Sequence, residues 1–292
     1  MNHPFTGAGV ALVTPFTENN SIDFDALGQI LKNQIEGGMD YLVALGTTSE
    51  TPTLSENEQK EIVSFIKQNS KGLPVVVGMG GNNTQKIIEQ IDKYDFNGVS
   101  GLLVVTPYYN RPSQEGMFHH YLSIAKVSPV PIILYNVPSR TGVNLESDTV
   151  IRLAEASPKI VAVKEASGIV AQATRIKKYS PAHFSVISGD DVMALPLIAI
   201  GGIGVISVIA NALPGKLSKL VHFALDGKFS EAGELHTELI DLFKLLFKEG
   251  NPEGVKALLH IQGIIRQELR APLYRISDAL YNEIKAAYLK LK

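Results

Sequence analysis

Short apolar runs recur along the chain, and segments with a helical spacing of apolar residues separate them. This alternation is typical of βαβ units that build a parallel sheet. The runs predict eight strands, at residues 9–16, 41–48, 74–80, 101–109, 131–138, 160–167, 184–191 and 204–210. Eight strand-then-helix units predict an α/β chain that closes into a (β/α)8 barrel, the TIM-barrel architecture.

Capping signals indicate where several intervening helices begin and end. Ser55 and Glu58 have the spacing of a capping box ahead of an apolar periodicity. Further helix starts are predicted at Asn83, Ser113 and Asp191, and a helix stop at Gly37 and Gly38. An open doubly wound sheet is the alternative, but no G-x-G-x-x-G follows the first predicted strand.

The strand signal ends near residue 225, and only helical patterns follow. They cover residues 230–248, 252–268 and 277–291, and Asn251 with Pro252 resembles the cap and first residue of the middle helix. We therefore expect a barrel domain over residues 1–225 and a small helical domain over residues 226–292. No low-complexity linker separates the two, so a tight junction is expected.

Composition favours a protein that acts on a small molecule. The 292 residues carry a formal net charge of -2, which gives no electrostatic footprint for nucleic acid. The absence of cysteine excludes disulfides and thiolate nucleophiles. The apolar stretch 192–210 contains Pro196 and three glycines, so a buried helix and strand explain it better than a membrane span. Without a signal-peptide pattern at the start, we expect a cytoplasmic location and no membrane partner.

Lys164 ends an almost wholly apolar run in the sixth predicted strand. In such barrels, functional residues lie at the carboxyl ends of the strands. Partial desolvation there disfavours an ammonium group, and a free amine attacks a ketone or aldehyde to form a Schiff base. This intermediate is an electron sink for making or breaking carbon–carbon bonds. The alternative is a lysine that extends to solvent and pairs with Glu165.

Hydroxyl and phenol groups end other predicted strands. They belong to Thr47, Thr48, Tyr108, Tyr109, Tyr135 and Ser207. Such groups carry the proton transfers of Schiff-base chemistry when they form a hydrogen-bonded chain, and the threonines suit a substrate carboxylate. Turn formation and aromatic packing explain the same residues without catalysis. Arg140, after the fifth strand, suits a second carboxylate or is simply a solvated loop residue.

At these residues the sequence resembles the dihydrodipicolinate synthase family of pyruvate-dependent aldolases, which also contains N-acetylneuraminate lyase. The resemblance covers essentially the whole chain. It implies condensation of pyruvate with L-aspartate 4-semialdehyde, on the route to diaminopimelate and lysine, with a covalent Schiff base and no cofactor or metal. The segments that carry it, in order, are ALGTTSETPTL, VTPYYNRPSQEG, ILYNVPSRTG, VAVKEASG, ISGDD, GVISV, NPEGVKALL and LRAPL.

The resemblance also implies a catalytic role for four residues. Lys164 forms the Schiff base with pyruvate. Thr48, Tyr135 and Tyr109 form a proton relay, and Tyr109 comes from the neighbouring subunit of a dimer. The family is usually a homotetramer built from two such dimers, so a homotetramer is expected.

Substrate-binding roles follow in the same way. The resemblance implies that Thr47 and Thr48 hold the pyruvate carboxylate and that Ile206 lines the pyruvate site. Arg140 binds the carboxylate of the semialdehyde. One departure is Ser49, which stands where the family usually has glycine, so the loop backbone can differ here.

A second departure concerns the dimer-interface pocket where many members bind lysine as a feedback inhibitor. The corresponding positions are Thr51, Glu56, Gln59, Asn82, Lys86 and Tyr108. Glu56, Gln59 and Lys86 replace residues that are often histidines and a glutamate, whereas Asn82 and Tyr108 are retained. Lys86 places a positive charge where the ammonium group of the inhibitor is received, so weak or absent lysine inhibition is predicted.

Three other functions fit parts of the pattern. A sugar-acid aldolase of the same family uses the same lysine with another aldehyde. A phosphosugar enzyme uses the glycines of residues 201–204 as a phosphate cradle, which leaves Lys164 unexplained. A non-catalytic barrel for sensing or assembly does not need Lys164. No metal site is readable at the acidic and histidine pairs, Asp190–Asp191 and His119–His120.

Overall fold

The computed structural model describes residues 3–291 and shows a closed barrel of eight parallel strands in chain order. The strands are β1 (Gly7–Ala11), β2 (Tyr41–Ala44), β3 (Val75–Gly78), β4 (Gly101–Val105), β5 (Ile132–Asn136), β6 (Ile160–Glu165), β7 (Ser185–Ser188) and β8 (Gly204–Ser207). Pairing of β8 with β1 closes the barrel. The predicted (β/α)8 fold is confirmed.

Helices connect successive strands and cover the outside of the barrel. They are α1 (Phe24–Glu36), α2 (Glu56–Asn69), α3 (Thr84–Lys93), α4 (Gln114–Val127), α5 (Pro138–Thr141), α6 (Ser147–Ala156), α7 (Val170–Tyr179), α8 (Ala194–Ala199) and α9 (Pro214–Leu225). Three more follow: α10 (Phe229–Leu245), α11 (Glu253–Ile261) and α12 (Asp278–Leu289). Within residues 3–291, each helix is too short or too polar to cross a membrane.

Side chains alternate between two buried layers along each strand. One set packs against the helices, and the other fills the barrel interior. At the amino end Phe5 closes the interior, with its ring centroid 5.8 Å from that of Tyr41. Gly101, the first residue of β4, leaves room for this plug, because a Cβ there would lie 2.7 Å from the Phe5 ring. The interior is therefore open to chemistry at its carboxyl end.

Most of the predicted helix boundaries are confirmed. Ser55 and Glu58 form the reciprocal hydrogen bonds of a capping box at the start of α2. Asn83 and Ser113 cap α3 and α4 through their side chains, and α1 ends at Gly37. These boundaries depend on contacts within one turn, which is why the local sequence predicts them.

The predicted helix start at Asp191 is wrong. Helix α8 begins three residues later, after Met193. The Asp191 carboxylate instead accepts hydrogen bonds from the backbone N–H groups of Val208 and Ile209, at 3.1 and 2.9 Å. It therefore joins the end of β7 to the end of β8 rather than capping its own helix.

The predicted middle helix of the C-terminal part is too long. Helix α11 is Glu253–Ile261 rather than residues 252–268, because Gly263 adopts a left-handed φ of 75° and ends it. Pro252 is the capping position rather than the first helical residue, and the Asn251 side chain does not cap the helix. The division into domains at residue 225 stays a prediction.

Candidate active site

Lys164 lies inside the barrel at the carboxyl end of β6. Its side chain is only 4% exposed, and its Nζ lies 4.3 Å from the ring centroid of Tyr135 on β5. The register of the two strands pairs Tyr135 directly with Lys164. The alternative, a solvent-exposed lysine paired with Glu165, does not match this geometry, since the Glu165 carboxylate binds Asn136 and Gln172.

A glycine packs against the lysine, and the interior cluster that contains Tyr135 is apolar. Ile206 on β8 is fully buried and belongs to the same interior cluster as Tyr135. Gly189, after β7, packs so close that a Cβ would lie 3.1 Å from Lys164 Cγ and 2.7 Å from Ala166 Cβ. A side chain at position 189 would therefore displace Ala166 or Lys164.

The paired threonines lie in a turn of 3-10 helix after β2 rather than in the strand. The turn is Thr47–Ser49, and Thr48 is buried with its Oγ1 accepting a hydrogen bond from Asn251 Nδ2 at 3.1 Å. Because the hydroxyl oxygen accepts this bond, the hydroxyl proton of Thr48 stays available for donation. Ser49 donates from Oγ to Leu12 O at 2.7 Å, which ties the turn to the residue that follows β1.

Two residues at and before α11 contact this turn, and the sequence did not assign either of them to the active site. Asn251 contacts Thr48, and Lys256 forms a fully buried ion pair with Glu50, the residue after the turn. Burial lowers the pKa of Lys256 to about 8, opposed by the Glu50 carboxylate. The available signal was a charged residue within the apolar positions of α11, where Val255 and Leu259 are also buried.

Two aspartates follow β7 near the lysine. Burial raises the pKa of Asp190 above its usual value, although the backbone N–H of Val192 and the charge of Lys164 partly offset this. Burial raises the pKa of Asp191 to about 6, although this carboxylate accepts hydrogen bonds from backbone N–H groups. Asp190 thus lies close enough to Lys164 for the two to interact electrostatically, whereas Asp191 links the ends of β7 and β8.

Tyr109 and Arg140 lie outside this buried group. Tyr109 is 88% exposed at a left-handed φ of 75°, so one chain does not place it with Tyr135 and Thr48. Arg140 on the short helix α5 has an exposed side chain, and its Nη2 donates to Asn251 O at 3.2 Å. Asn251 therefore contacts both Thr48 and Arg140.

The residues of the predicted lysine pocket lie on the loops and helix starts around the same end. Asn82 Nδ2 reaches Tyr108 O at 3.5 Å, and Thr51 Oγ1 donates to Gly46 O at 2.9 Å. Gln59 Nε2 donates to Leu54 O at 3.1 Å. Glu56 and Lys86 are exposed in this single chain.

Comparison with known proteins agrees with this geometry. Residues 4–290 match the model of the dihydrodipicolinate synthetase family. The 4-hydroxy-tetrahydrodipicolinate synthase of Parabacteroides distasonis is 46% identical over 286 residues, which cover 98% of this chain and 96% of the relative. This relative supports the predicted activity, a synthase of the lyase class.

Solved structures of the family have the same fold. Dihydrodipicolinate synthase from Thermotoga maritima superimposes with a TM-score of 0.96 and 38% identity over 99% of both chains. The chloride-inhibited dihydrodipicolinate synthase from Acinetobacter baumannii, solved in complex with pyruvate, has a TM-score of 0.94 and 36% identity over 98% of both chains. The chain belongs to the dihydrodipicolinate synthetase family.

Proposed function

We propose that this chain condenses pyruvate with L-aspartate 4-semialdehyde through a Schiff base on Lys164. The observation that carries the proposal is a buried lysine at the carboxyl end of a barrel strand with a phenol ring beside it. The other buried lysine, Lys256, is paired with a carboxylate, whereas Lys164 lies against the ring of Tyr135. Family membership and a relative solved with pyruvate support the same substrate.

The reaction proceeds through covalent intermediates on Lys164. The amine attacks the carbonyl carbon of pyruvate, and the resulting carbinolamine loses water to form the iminium ion. Loss of a methyl proton gives the enamine, whose carbon attacks the aldehyde of the semialdehyde. The amino group of the semialdehyde then displaces the lysine, which closes the ring and releases the hydroxytetrahydrodipicolinate product.

Tyr135 and Thr48 transfer protons between these intermediates. The Tyr135 ring already contacts Lys164 Nζ, and the Asn251 hydrogen bond leaves the Thr48 hydroxyl proton free to be donated. Tyr109 completes the relay from a second subunit, since its exposed side chain is free to reach the site of a partner chain. The proposed assembly is a dimer that shares these sites, and two such dimers form a tetramer.

Two sets of groups bind the carboxylates of the substrates. The first N–H groups of a helical turn have no partner inside the turn, so those of Thr47 and Thr48 suit the pyruvate carboxylate. Ile206 forms an apolar wall for the pyruvate methyl group. Arg140, exposed and held through Asn251 O, binds the carboxylate of the semialdehyde.

The test compares two aldehydes and two lysines. Pyruvate consumption is measured with aspartate 4-semialdehyde and, in parallel, with N-acetylmannosamine, for the wild type, Lys164→Ala and the control Lys126→Ala, which removes an exposed lysine of α4. Borohydride trapping with mass spectrometry reports the pyruvate adduct. We expect consumption with the semialdehyde alone, lost together with the adduct in Lys164→Ala and kept in the control. Turnover that needs the sugar, or that survives Lys164→Ala, overturns the proposal.

Arg140→Ala tests the second carboxylate site separately. The variant is expected to raise the KM for the semialdehyde and to leave trapping of the pyruvate adduct unchanged, because Arg140 is assigned to the second substrate. Equal loss of adduct formation and turnover contradicts that assignment.

A further inference from the structure

A buried polar network lies behind Tyr135 and Lys164, on the outer face of the same two strands. Asn136 follows Tyr135 on β5, and Glu165 follows Lys164 on β6; they are 0% and 2% exposed. Successive strand residues project to opposite faces, so these side chains point away from the barrel interior. Asn136 Nδ2 contacts both carboxylate oxygens of Glu165, at 3.2 and 3.1 Å.

The Glu165 carboxylate is held from three directions. Besides Asn136, it accepts from the backbone N–H of Ser167 at 2.7 Å and from Gln172 Nε2 at 2.9 Å. Both oxygens therefore face N–H donors, and the position of the carboxylate relative to β6 and the start of α7 is fixed. Replacing either oxygen by an NH2 group would put two donors against each other.

Asn136 is equally constrained on β5. Its Oδ1 accepts from the backbone N–H of Leu145 at 2.9 Å, and its Nδ2 also contacts Asn144 Oδ1 at 2.8 Å. Asn144 Nδ2 in turn donates to Gln172 Oε1 at 2.8 Å, which closes the network. The hydrogen bonds thus join the ends of β5 and β6 to the segment that precedes α6 and to the first turn of α7.

This network joins β5 and β6 in the same register that pairs Tyr135 with Lys164. The strand pairing sets Asn136 opposite Glu165 and Tyr135 opposite Lys164 in consecutive positions. Buried ionic and polar groups are seldom more stabilising than apolar residues of the same size, and fixing one register is their best attested role. A slip or splay of β5 against β6 would move the Tyr135 ring and the Lys164 amine apart.

We propose that Asn136 and Glu165 are positioning residues that hold Tyr135 and Lys164 at the spacing needed for proton transfer. Their cross-strand hydrogen bonds fix the ends of β5 and β6 from the outer face, while the reacting groups occupy the inner face. The inference rests on the proposed function, because it assigns a purpose to the geometry of the Schiff-base lysine.

The test uses Asn136→Asp, Glu165→Gln and the double variant. Asn136→Asp sets two carboxylates against each other, and Glu165→Gln sets two amide donors against each other. The double variant restores one cross-strand hydrogen bond with the acceptor and donor exchanged. Glu283→Gln, in an exposed pair with Lys248, is the matched carboxylate-to-amide control.

Proton transfer is measured by exchange of the pyruvate methyl protons in D2O by NMR, without the second substrate. A misplacement of reacting groups by about 1 Å costs about 100-fold in rate. We therefore expect each single variant to lower methyl exchange and kcat by about 10- to 100-fold with the KM for pyruvate nearly unchanged. The double variant is expected to recover about 10-fold of that loss, and the control to match the wild type.

Thermal unfolding separates this role from a structural one. Single variants that are destabilised but keep the wild-type exchange rate in the folded state overturn the inference, as does a double variant that recovers the Tm but not the exchange. If a single variant is insoluble, Gln172→Leu replaces it, because this change removes one donor to Glu165 at a half-buried position. A several-fold loss of methyl exchange is expected. Unchanged exchange in this variant overturns the inference. A wild type without Lys164-dependent exchange overturns the proposed function instead.

Discussion

Lys256 on α11 and Glu50 after the Thr47–Ser49 turn form an ion pair in which both side chains are fully buried. The other Glu50 oxygen accepts from the backbone N–H of Arg270 at 3.0 Å, and Lys256 Nζ also donates to Glu268 O at 2.8 Å. The turn that carries the candidate catalytic threonine is therefore fixed by α11 and the segment after it as well as by the barrel.

Lys256→Met is expected to destabilise the protein by about 3–5 kcal/mol, because it leaves the Glu50 charge buried without a partner. The measurement is the free energy of unfolding from urea titration. The double variant Glu50→Gln with Lys256→Met removes both charges and should recover most of the loss. Equal stability of the single and double variants would show that the uncompensated charge is not the cause.

The ion pair between Glu58 and Arg270 predicts a pH dependence. Hydrogen bonding to Arg270 lowers the Glu58 pKa to about 2 from 4.5, and both side chains of the pair are partly exposed. Since the folded pKa lies below the unfolded pKa, the stabilisation is complete above pH 4.5 and is lost as the pH falls toward 2.

Glu58→Gln measures this contribution. At pH 7 the variant is expected to lose about 1 kcal/mol of unfolding free energy, a value reduced because the pair is partly exposed. The difference from the wild type should shrink in urea titrations between pH 4.5 and 3. The exposed carboxylate in Glu283→Gln provides the control, and a difference that stays constant with pH contradicts the assignment.

Gly189→Ala tests the packing around the candidate nucleophile. The added methyl group would lie 2.7 Å from Ala166 Cβ and 3.1 Å from Lys164 Cγ, so one of them must move. We expect about a 10-fold slower formation of the borohydride-trapped pyruvate adduct. Gly233→Ala on α10, where no atom lies within 4 Å of the added Cβ, is the control and should be neutral or stabilising by up to about 1 kcal/mol. Equal adduct formation by both variants would exclude the steric effect.

Lysine is expected to inhibit the enzyme weakly or not at all. Lys86 lies in the first turn of α3, close along the chain to Asn82, which contacts Tyr108. Its charge repels the ammonium group of lysine in the pocket that the family pattern implies. Initial rates are measured over a range of lysine concentrations for the wild type and Lys86→Gln, and the variant should be the more sensitive. Strong inhibition of the wild type by sub-millimolar lysine contradicts the prediction.

Local signals in the sequence explain why the barrel and its lysine could be predicted. Apolar runs mark the strands, and caps such as Ser55 act within a single turn. Lys164 stood out because it ends an apolar run, and the structure buries it at that end. The helix predicted after Pro252 was too long because the apolar pattern continues past Gly263, whereas the helical backbone conformation ends before it.

Long-range contacts explain what the sequence did not reveal. Asp191 resembles a helix cap in the sequence, but its buried carboxylate accepts hydrogen bonds from backbone N–H groups that follow β8. Lys256 and Glu50 are 206 residues apart, and no local pattern pairs them. The role proposed for Tyr109 depends on a second subunit, and in one chain this side chain is 88% exposed.

The hydrogen bond between Asn251 and Thr48 spans 203 residues and therefore sets an order in time. A ribosome adds about 5–20 residues per second, so roughly 10–40 s pass between synthesis of the threonine and of its partner. During that interval the nascent polypeptide has the early strands of the barrel but lacks the residue that orients the threonine hydroxyl. Each newly made copy thus becomes able to complete this site only after the ribosome has added Asn251.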